Sequence, residues 1–238
     1  MSKLIYSVSG GKDSAAMLCH AYELGIEIDE VVFADTTLEF PEIYDYLHTL
    51  EEYTGYKITR LQPFRDWEEW FYGIPARGKH KGIRGFPPEL LPGCYIRRDA
   101  KVGPLAKHIG KGNTVALGFA IDEFRRSKSK AYRNTDNEYV FPLIQWGWTE
   151  KDCVRYLERI GIPHPLSGTF SRTGCWLCPK QPIDSLVALC RNYPDLWAKL
   201  KRLENDAPYP LKRDITLHEV EQLAEGKLRL AKLTDYMR

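Results

Sequence analysis

Ser9-Gly10-Gly11-Lys12-Asp13-Ser14 lies between two apolar runs, Leu4-Ile5-Tyr6-Ser7-Val8 and Ala15-Ala16-Met17-Leu18-Cys19-His20-Ala21-Tyr22. The first run reads as a buried strand and the second as a helix stopped at Gly25. Strand, glycine turn and helix in this order make a junction suited to an anion. Paired glycines turn the chain tightly and bare their N–H groups, and the helix start adds unpaired donors with a partial positive charge. Lys12 brings a full positive charge, Ser9 and Ser14 bring hydroxyls, and Asp13 can cap the helix. The stretch is a candidate phosphate cradle. It is not a Walker A loop, because Tyr6 and Asp13 occupy the places that need Gly and Ser or Thr, and it does not fit GxGxxG.

Working outward, Val31-Val32-Phe33-Ala34 reads as a second buried strand ending at Asp35-Thr36-Thr37, and the short strand-helix-strand spacing implies parallel pairing. Pro41 suits the first position of a helix through Ile43, Tyr44, Leu47 and Leu50 to Gly55. Lys57 to Leu61 reads as a third strand, Asp66 to Tyr72 as a short aromatic helix, Arg97 to Ile109 as a helix and Thr114 to Leu117 as a fourth strand ending at Gly118. In open parallel sheets ligands bind beyond the carboxyl ends of strands. The loop at 9–14, the segment Ala34-Asp35-Thr36 and Gly118 all fall at such ends, so three distant segments are expected to meet at one site. Arg125 and Arg126 leave the fourth strand on the same side, where arginine forks suit phosphate oxygens. Tyr139 to Ile144 is expected as an edge strand, since Pro142 cannot donate to a ladder. Thr149 caps a helix that stops at Gly161, and a later helix carries an apolar stripe of Ile183, Leu186, Val187 and Cys190.

With 238 residues, 43% hydrophobic and 28% charged, the chain is long and apolar enough for a globular α/β core. A net charge of only +2 means that affinity for nucleic acid or polyphosphate has to come from local patches. One such patch is the glycine- and proline-rich stretch from Gly73 to Gly93 with its basic residues Arg77, Lys79, Lys81 and Arg84, expected as a long loop that guides phosphates. No eighteen-residue apolar run occurs, and a cytoplasmic location without membrane contact is expected. In a reducing compartment the six cysteines are expected to be buried, catalytic or metal-bound. Cys175 and Cys178 form a CxxC. With Cys94 and Cys190 they make a candidate four-thiolate zinc site, or Cys94, Cys175 and Cys178 alone hold an iron-sulfur cluster with one iron open. Cys19 and Cys153 read as core. The α/β alternation gives way near residue 163, so a nucleotide-binding domain at 1–162 and a cysteine-bearing, mostly helical region at 163–238 are expected.

Ser9 to Ser14 resembles the SGGxDS signature of the PP-loop ATP pyrophosphatases, the superfamily that includes the phosphoadenylyl-sulfate (PAPS) reductases. Phe33-Ala34-Asp35-Thr36-Thr37-Leu38-Glu39-Phe40-Pro41-Glu42 resembles the DTG-x-x-F-P-E segment of the PAPS reductase family. Gly118 with Asp122-Glu123-Phe124-Arg125-Arg126 resembles its G-x-R-x-x-E-S-x-x-R segment, with Ala120 where Arg is usual. The likeness runs from about residue 4 to 180 and implies a Rossmann-like, adenine nucleotide alpha hydrolase-like fold: a mostly parallel sheet flanked by helices. It further implies ATP or an adenylyl sulfate over residues 9–14, with Lys12, Asp13, Arg125 and Arg126 as catalytic groups and Mg²⁺ sharing the phosphate charge. The reductases' catalytic cysteine has no counterpart in residues 191–238, which contain no cysteine. Relatives of the superfamily adenylate tRNA or the DNA backbone for sulfur insertion, some with a 4Fe-4S cluster, and a nucleic acid acceptor, a sulfur donor such as a cysteine desulfurase and a homodimer are expected on that basis. A sulfonucleotide reductase and a zinc-stabilised nucleic-acid-binding module without catalysis are the alternatives.

Overall fold

The computed structural model describes residues 2–73, 83–90, 93–133 and 135–227. Its chain divides into two units, one made of residues 1–64 and 99–167 and the other of residues 65–98 and 168–238.

The first unit is built on five strands: β1 (Leu4–Val8), β2 (Glu30–Ala34), β3 (Ile58–Leu61), β4 (Thr114–Leu117) and β5 (Glu138–Val140). Their order is β3-β2-β1-β4-β5, and every pairing is parallel. The sheet therefore agrees with the α/β expectation. The edge strand is shorter than expected, because Pro142 opens the helix α6 (Pro142–Gln145) instead of lying in the strand.

Strand alternation sorts the side chains onto two faces. Ile5, Val32 and Val115 pack on one face with Ile109 and Leu105 of α4 (Gly103–Ile109). The other face carries α1 (Lys12–Glu23) and α2 (Pro41–Thr54), where Met17, Leu18, Leu47 and Leu50 are buried. Helix α7 (Glu150–Arg159) packs against α1. Thr149 caps it, as the sequence predicts, and the structure adds a reciprocal capping box to Asp152. The chain builds β1, β2 and β3 to one side, then crosses to place β4 on the other flank of β1. That reversal opens a crevice beyond the carboxyl ends of β1 and β4.

The second unit contains α3 (Trp67–Phe71), α8 (Ile183–Asn192), α9 (Pro194–Asp206) and α10 (Leu217–Ala224). The expected division at residue 162 leaves 65–98 with the sheet, whereas in the structure this stretch groups with residues 168 onward. Its aromatic side chains explain the grouping: Trp67 meets Trp176 edge-on at 6.1 Å, and Tyr209 donates from its hydroxyl to the carbonyls of Arg84 and Phe86. Lys212 adds bonds to Glu89 and to the Pro179 carbonyl. On α8 the buried residues are Ser185, Leu186 and Leu189, so the apolar stripe is rotated from the predicted one and Cys190 lies at its margin.

Candidate functional site

Gly10 leaves β1 with φ +72°, a conformation open to glycine, and a Cβ there would come within 2.4 Å of Ile43 Cγ2. Both the turn and the packing against α2 exclude a side chain. Helix α1 then starts with Gly11 as its cap and no side-chain cap bond. The expectation that Asp13 caps the helix is therefore corrected: Asp13 already lies within the first turn, too far along to reach back to the N-cap position. The serine hydroxyls knit the loop instead. Ser9 N–H donates to Ser14 Oγ (3.0 Å), Ser14 Oγ donates to the Gly11 carbonyl (3.0 Å), and the two hydroxyls lie 3.1 Å apart. Among the described residues the N–H groups of Gly10, Lys12, Asp13 and Ser14 have no acceptor. Four bare amides at a helix start make an anion site.

Gly118 closes the crevice from the β4 side. A Cβ there would stand 2.7 Å from Ser14 Cα and 2.9 Å from Ser14 N. The end of β4 thus lies directly against the first turn of α1, an approach that only glycine permits.

Lys12 extends to α7, with Nζ 2.8 Å from Glu150 Oε2 and 3.4 Å from Asp13 Oδ2. Burial works against its charge, but the bond to Glu150 and the charge of Asp13 outweigh it and hold the ammonium above the usual lysine pKa. A cleft of about 370 Å³ opens beside it, lined by Lys12, Glu150, Lys151, Val154 and Arg155. Asp13 is pushed up to about 6 by burial, with Lys12 opposing the shift and Glu150 adding to it. Its Oδ1 is buried with no hydrogen-bond partner among the described residues, and the neighbouring Cys153 thiol is a weak donor.

The segment after β2 is held by its own side chains. Asp35 Oδ1 accepts from Thr37 N–H (2.8 Å) and the Tyr44 hydroxyl (2.9 Å), and Oδ2 accepts from Gln62 (3.2 Å). The Thr36 hydroxyl donates to Glu39 (2.8 Å), whose carboxyl is raised above the usual range by burial, with Lys101 opposing. Ala34 is fully buried. Thr37 takes φ +60°, a strained conformation for a β-branched residue.

A family model, the phosphoadenosine phosphosulfate reductase domain, matches residues 3–181. The chain belongs to that family.

PAPS reductase family members are enzymes of the adenine nucleotide alpha hydrolase-like superfamily and bind adenine nucleotides. An uncharacterised protein of Methanocaldococcus jannaschii is 31% identical over 207 residues, covering 82% of this chain but 40% of that protein. Adenosine 5'-phosphosulfate reductase 2 of Bacillus subtilis is 28% identical over 189 residues, 74% of this chain and 72% of the relative. A PAPS reductase of Candida auris, solved with phosphate, shares the fold at TM-score 0.52 and 18% identity, over 74% of this chain and 82% of that one.

The segment that matches the family's arginine motif follows β4. Arg126 pairs with Glu123 and lays its guanidinium 4.4 Å over the Phe119 ring, and Arg125 is exposed on the short helix α5 (Phe124–Ser127). Asp122 accepts the Glu150 N–H and so ties this segment to the start of α7.

Two cysteines of the second unit are neighbours, the Cys94 charge adding to the burial that raises the Cys178 thiol pKa. Among the described residues no three His, Cys, Asp or Glu side chains are grouped so as to hold a metal ion. Cys94 Sγ accepts from Arg97 N–H, and Cys178 N–H donates to the Cys175 carbonyl in a tight turn. Cys190 lies beside Glu221 and Glu225, whose charges add to burial in raising its thiol pKa. The residues as placed therefore do not fit a four-thiolate zinc site or a three-cysteine cluster. Cys19 and Cys153 are core residues, and burial pushes the Cys19 thiol up to about 12. Of the basic loop, Arg77, Lys79 and Lys81 lie outside the described residues, and Arg84 stacks over Tyr95. No helix among the described residues is long and apolar enough to cross a membrane.

One residue of the site escapes sequence reasoning. His164 is buried in the loop after α7, with Nε2 2.9 Å from the Gly10 carbonyl. The only signal in the sequence is its place at a turn before Pro165, which does not point to a residue 154 positions away.

Proposed function

We propose that this chain binds ATP with its phosphates over Ser9–Ser14 and directs attack of an acceptor oxygen on the α-phosphorus. The products are an adenylated acceptor and pyrophosphate. A sulfur nucleophile then takes the place of the adenylated oxygen and AMP leaves. The observation that carries this reading is the set of four bare amides beside the Lys12 ammonium, at the crevice where the strand order reverses. Donors of this kind stabilise the charge that grows on a departing pyrophosphate. Lys12 exchanges Glu150 for a phosphate oxygen as the nucleotide enters, and Ser9 and Ser14 keep the loop in shape. Mg²⁺ entering with the nucleotide needs only one or two carboxylates; Asp13, beside Lys12 in the first turn of α1, would supply one, and the ion would neutralise phosphate charge when bound. Arg125, exposed beyond β4, is available to an acceptor. The acceptor class is a tRNA base or the DNA backbone. No step is assigned to an iron-sulfur cluster.

A sulfonucleotide reductase is the second reading, favoured by the relatives that are named adenosine 5'-phosphosulfate reductases. That chemistry needs an accessible thiolate. Cys178 is raised above the usual thiol value by burial, which argues against it as the nucleophile and leaves Cys175 to serve. Two assays separate the readings: release of AMP and pyrophosphate from ATP, and release of sulfite from adenylyl sulfates with a thiol donor. ATP turnover that falls about 100-fold or more in Lys12→Ala, with the fold intact, is expected. Sulfite release that Cys175→Ser abolishes, without ATP turnover, replaces the first reading by the second.

A further inference from the structure

The Gly10 carbonyl offers only an acceptor and the Leu166 N–H only a donor, and His164 meets both. Its Nε2 lies 2.9 Å from Gly10 O, and its Nδ1 accepts from Leu166 N at 3.3 Å. The ring must therefore be neutral with its proton on Nε2. Burial lowers its pKa below the usual histidine value, the Gly10 bond opposes that, and the Lys12 charge adds to it, so the neutral form persists at physiological pH. The ring is fixed from a second side by Tyr46, whose ring meets it edge-on at 5.1 Å and whose hydroxyl is bound to the Ile162 carbonyl. Nothing in His164 reaches the crevice itself. Its one polar bond to the loop is to the carbonyl at the turn where φ is positive.

We propose that His164 is the positioning residue of the anion loop. Its Nε2–H pins the Gly10 carbonyl on the α2 side, so that the amides of residues 10–14 keep facing the crevice without a ligand to order them. Preorganised donors bind an anion without a reorganisation cost, so loss of the pin lowers affinity for the phosphates. The affinity part of this inference rests on the nucleotide reading given above; the ordering of the loop does not.

Two near-isosteric variants divide the two bonds. Gln places an amide donor where Nε2 stands and keeps the Gly10 bond, whereas Asn reaches only the Nδ1 position and keeps the Leu166 bond alone. Hydrogen exchange at the bonded amides of the loop in the nucleotide-free protein, those of Ser9, Gly11 and Ala15, is expected to quicken about tenfold in His164→Asn and to stay at the wild-type rate in His164→Gln. Near-ultraviolet circular dichroism of both variants verifies that they fold. ATP titration by calorimetry is expected to show the same order, with about tenfold weaker binding for Asn. Equal exchange in both variants, whether at the wild-type rate or quickened, overturns the proposal. If the wild-type protein does not bind ATP, the nucleotide reading fails, and the exchange rates still decide whether His164 orders the loop.

Discussion

At the end of β1, groups from four separate stretches of chain converge on one loop: Ile43 against Gly10, Gly118 against Ser14, Glu150 on Lys12 and His164 on the Gly10 carbonyl. The Cys175–Cys178 turn is held by different contacts, with Trp67 packed on Trp176 and Lys212 bonded to the Pro179 carbonyl. Its backbone bonds run from Cys178 N–H to the Cys175 carbonyl and from Gln181 N–H to the Cys178 carbonyl, Cys94 is near enough for its charge to act on the Cys178 thiol, and Cys190 lies beside Glu221 and Glu225. Both motifs stand out in the sequence, and they differ in what their surroundings supply. An anion loop needs backbone amides, which six consecutive residues supply. A metal site needs side chains from distant segments to point at one spot, which spacing alone does not arrange.

The sharpest test of the first region is Gly118→Ala. Its methyl group meets backbone at 2.7 Å, which cannot rotate aside, so a loss of about 2–3 kcal/mol is expected in urea unfolding, together with at least about tenfold weaker ATP binding. A tolerated alanine means that β4 and α1 are not locked together and dissolves the contrast between the regions.

Asp13→Asn is next. A carboxyl raised from 3.8 to about 6 resists ionisation in the folded state, so its stabilising contribution is full below pH 4 and is lost as pH rises through 6. The amide removes that cost. At pH 7 the variant is expected to be more stable by about 1–3 kcal/mol, with the gain vanishing near pH 4, while activity falls. A gain that persists at pH 4 means that Asp13 ionisation is not its source.

Thr37→Gly trades left-handed strain for lost hydroxyl and chain entropy, for a net gain of up to about 1 kcal/mol and a Tm rise of about 2–4 °C by calorimetry. A drop in Tm instead places the worth of Thr37 in its hydroxyl bond to the Thr36 carbonyl.

The smallest effect belongs to the second region. Cys190→Ser is expected to change stability by less than about 1 kcal/mol and to leave the iron and zinc content of anaerobically purified protein unchanged. Metal lost with Cys190 means that the cysteines gather on loading, and the two regions then differ in timing, not in kind.

Local pattern alone made the sheet strands, the capped helix at Thr149 and the anion loop legible, because strand alternation, caps and glycine turns are written in neighbouring residues. Gly118 was legible as a strand end but not as a contact. Its role depends on β4 lying beside β1, and strand order is not contained in any one segment. The partners of Arg126 were not read from the sequence: it pairs with Glu123 at i, i+3 and lies over the Phe119 ring, contacts set by where the short helix after β4 folds back.

The sequence by itself determined the class of fold and the glycine turn at residues 9–14 that opens α1, since strands, turns and helix starts follow from residue type over a few positions. Only the tertiary structure decided which groups hold that loop, that Lys12 rests on Glu150, that residues 65–98 join the second unit and that among the described residues no three cysteines form a metal-holding group. These depend on contacts between residues up to 154 positions apart, and such contacts are selected by packing of whole elements and not by the propensities of the residues that make them.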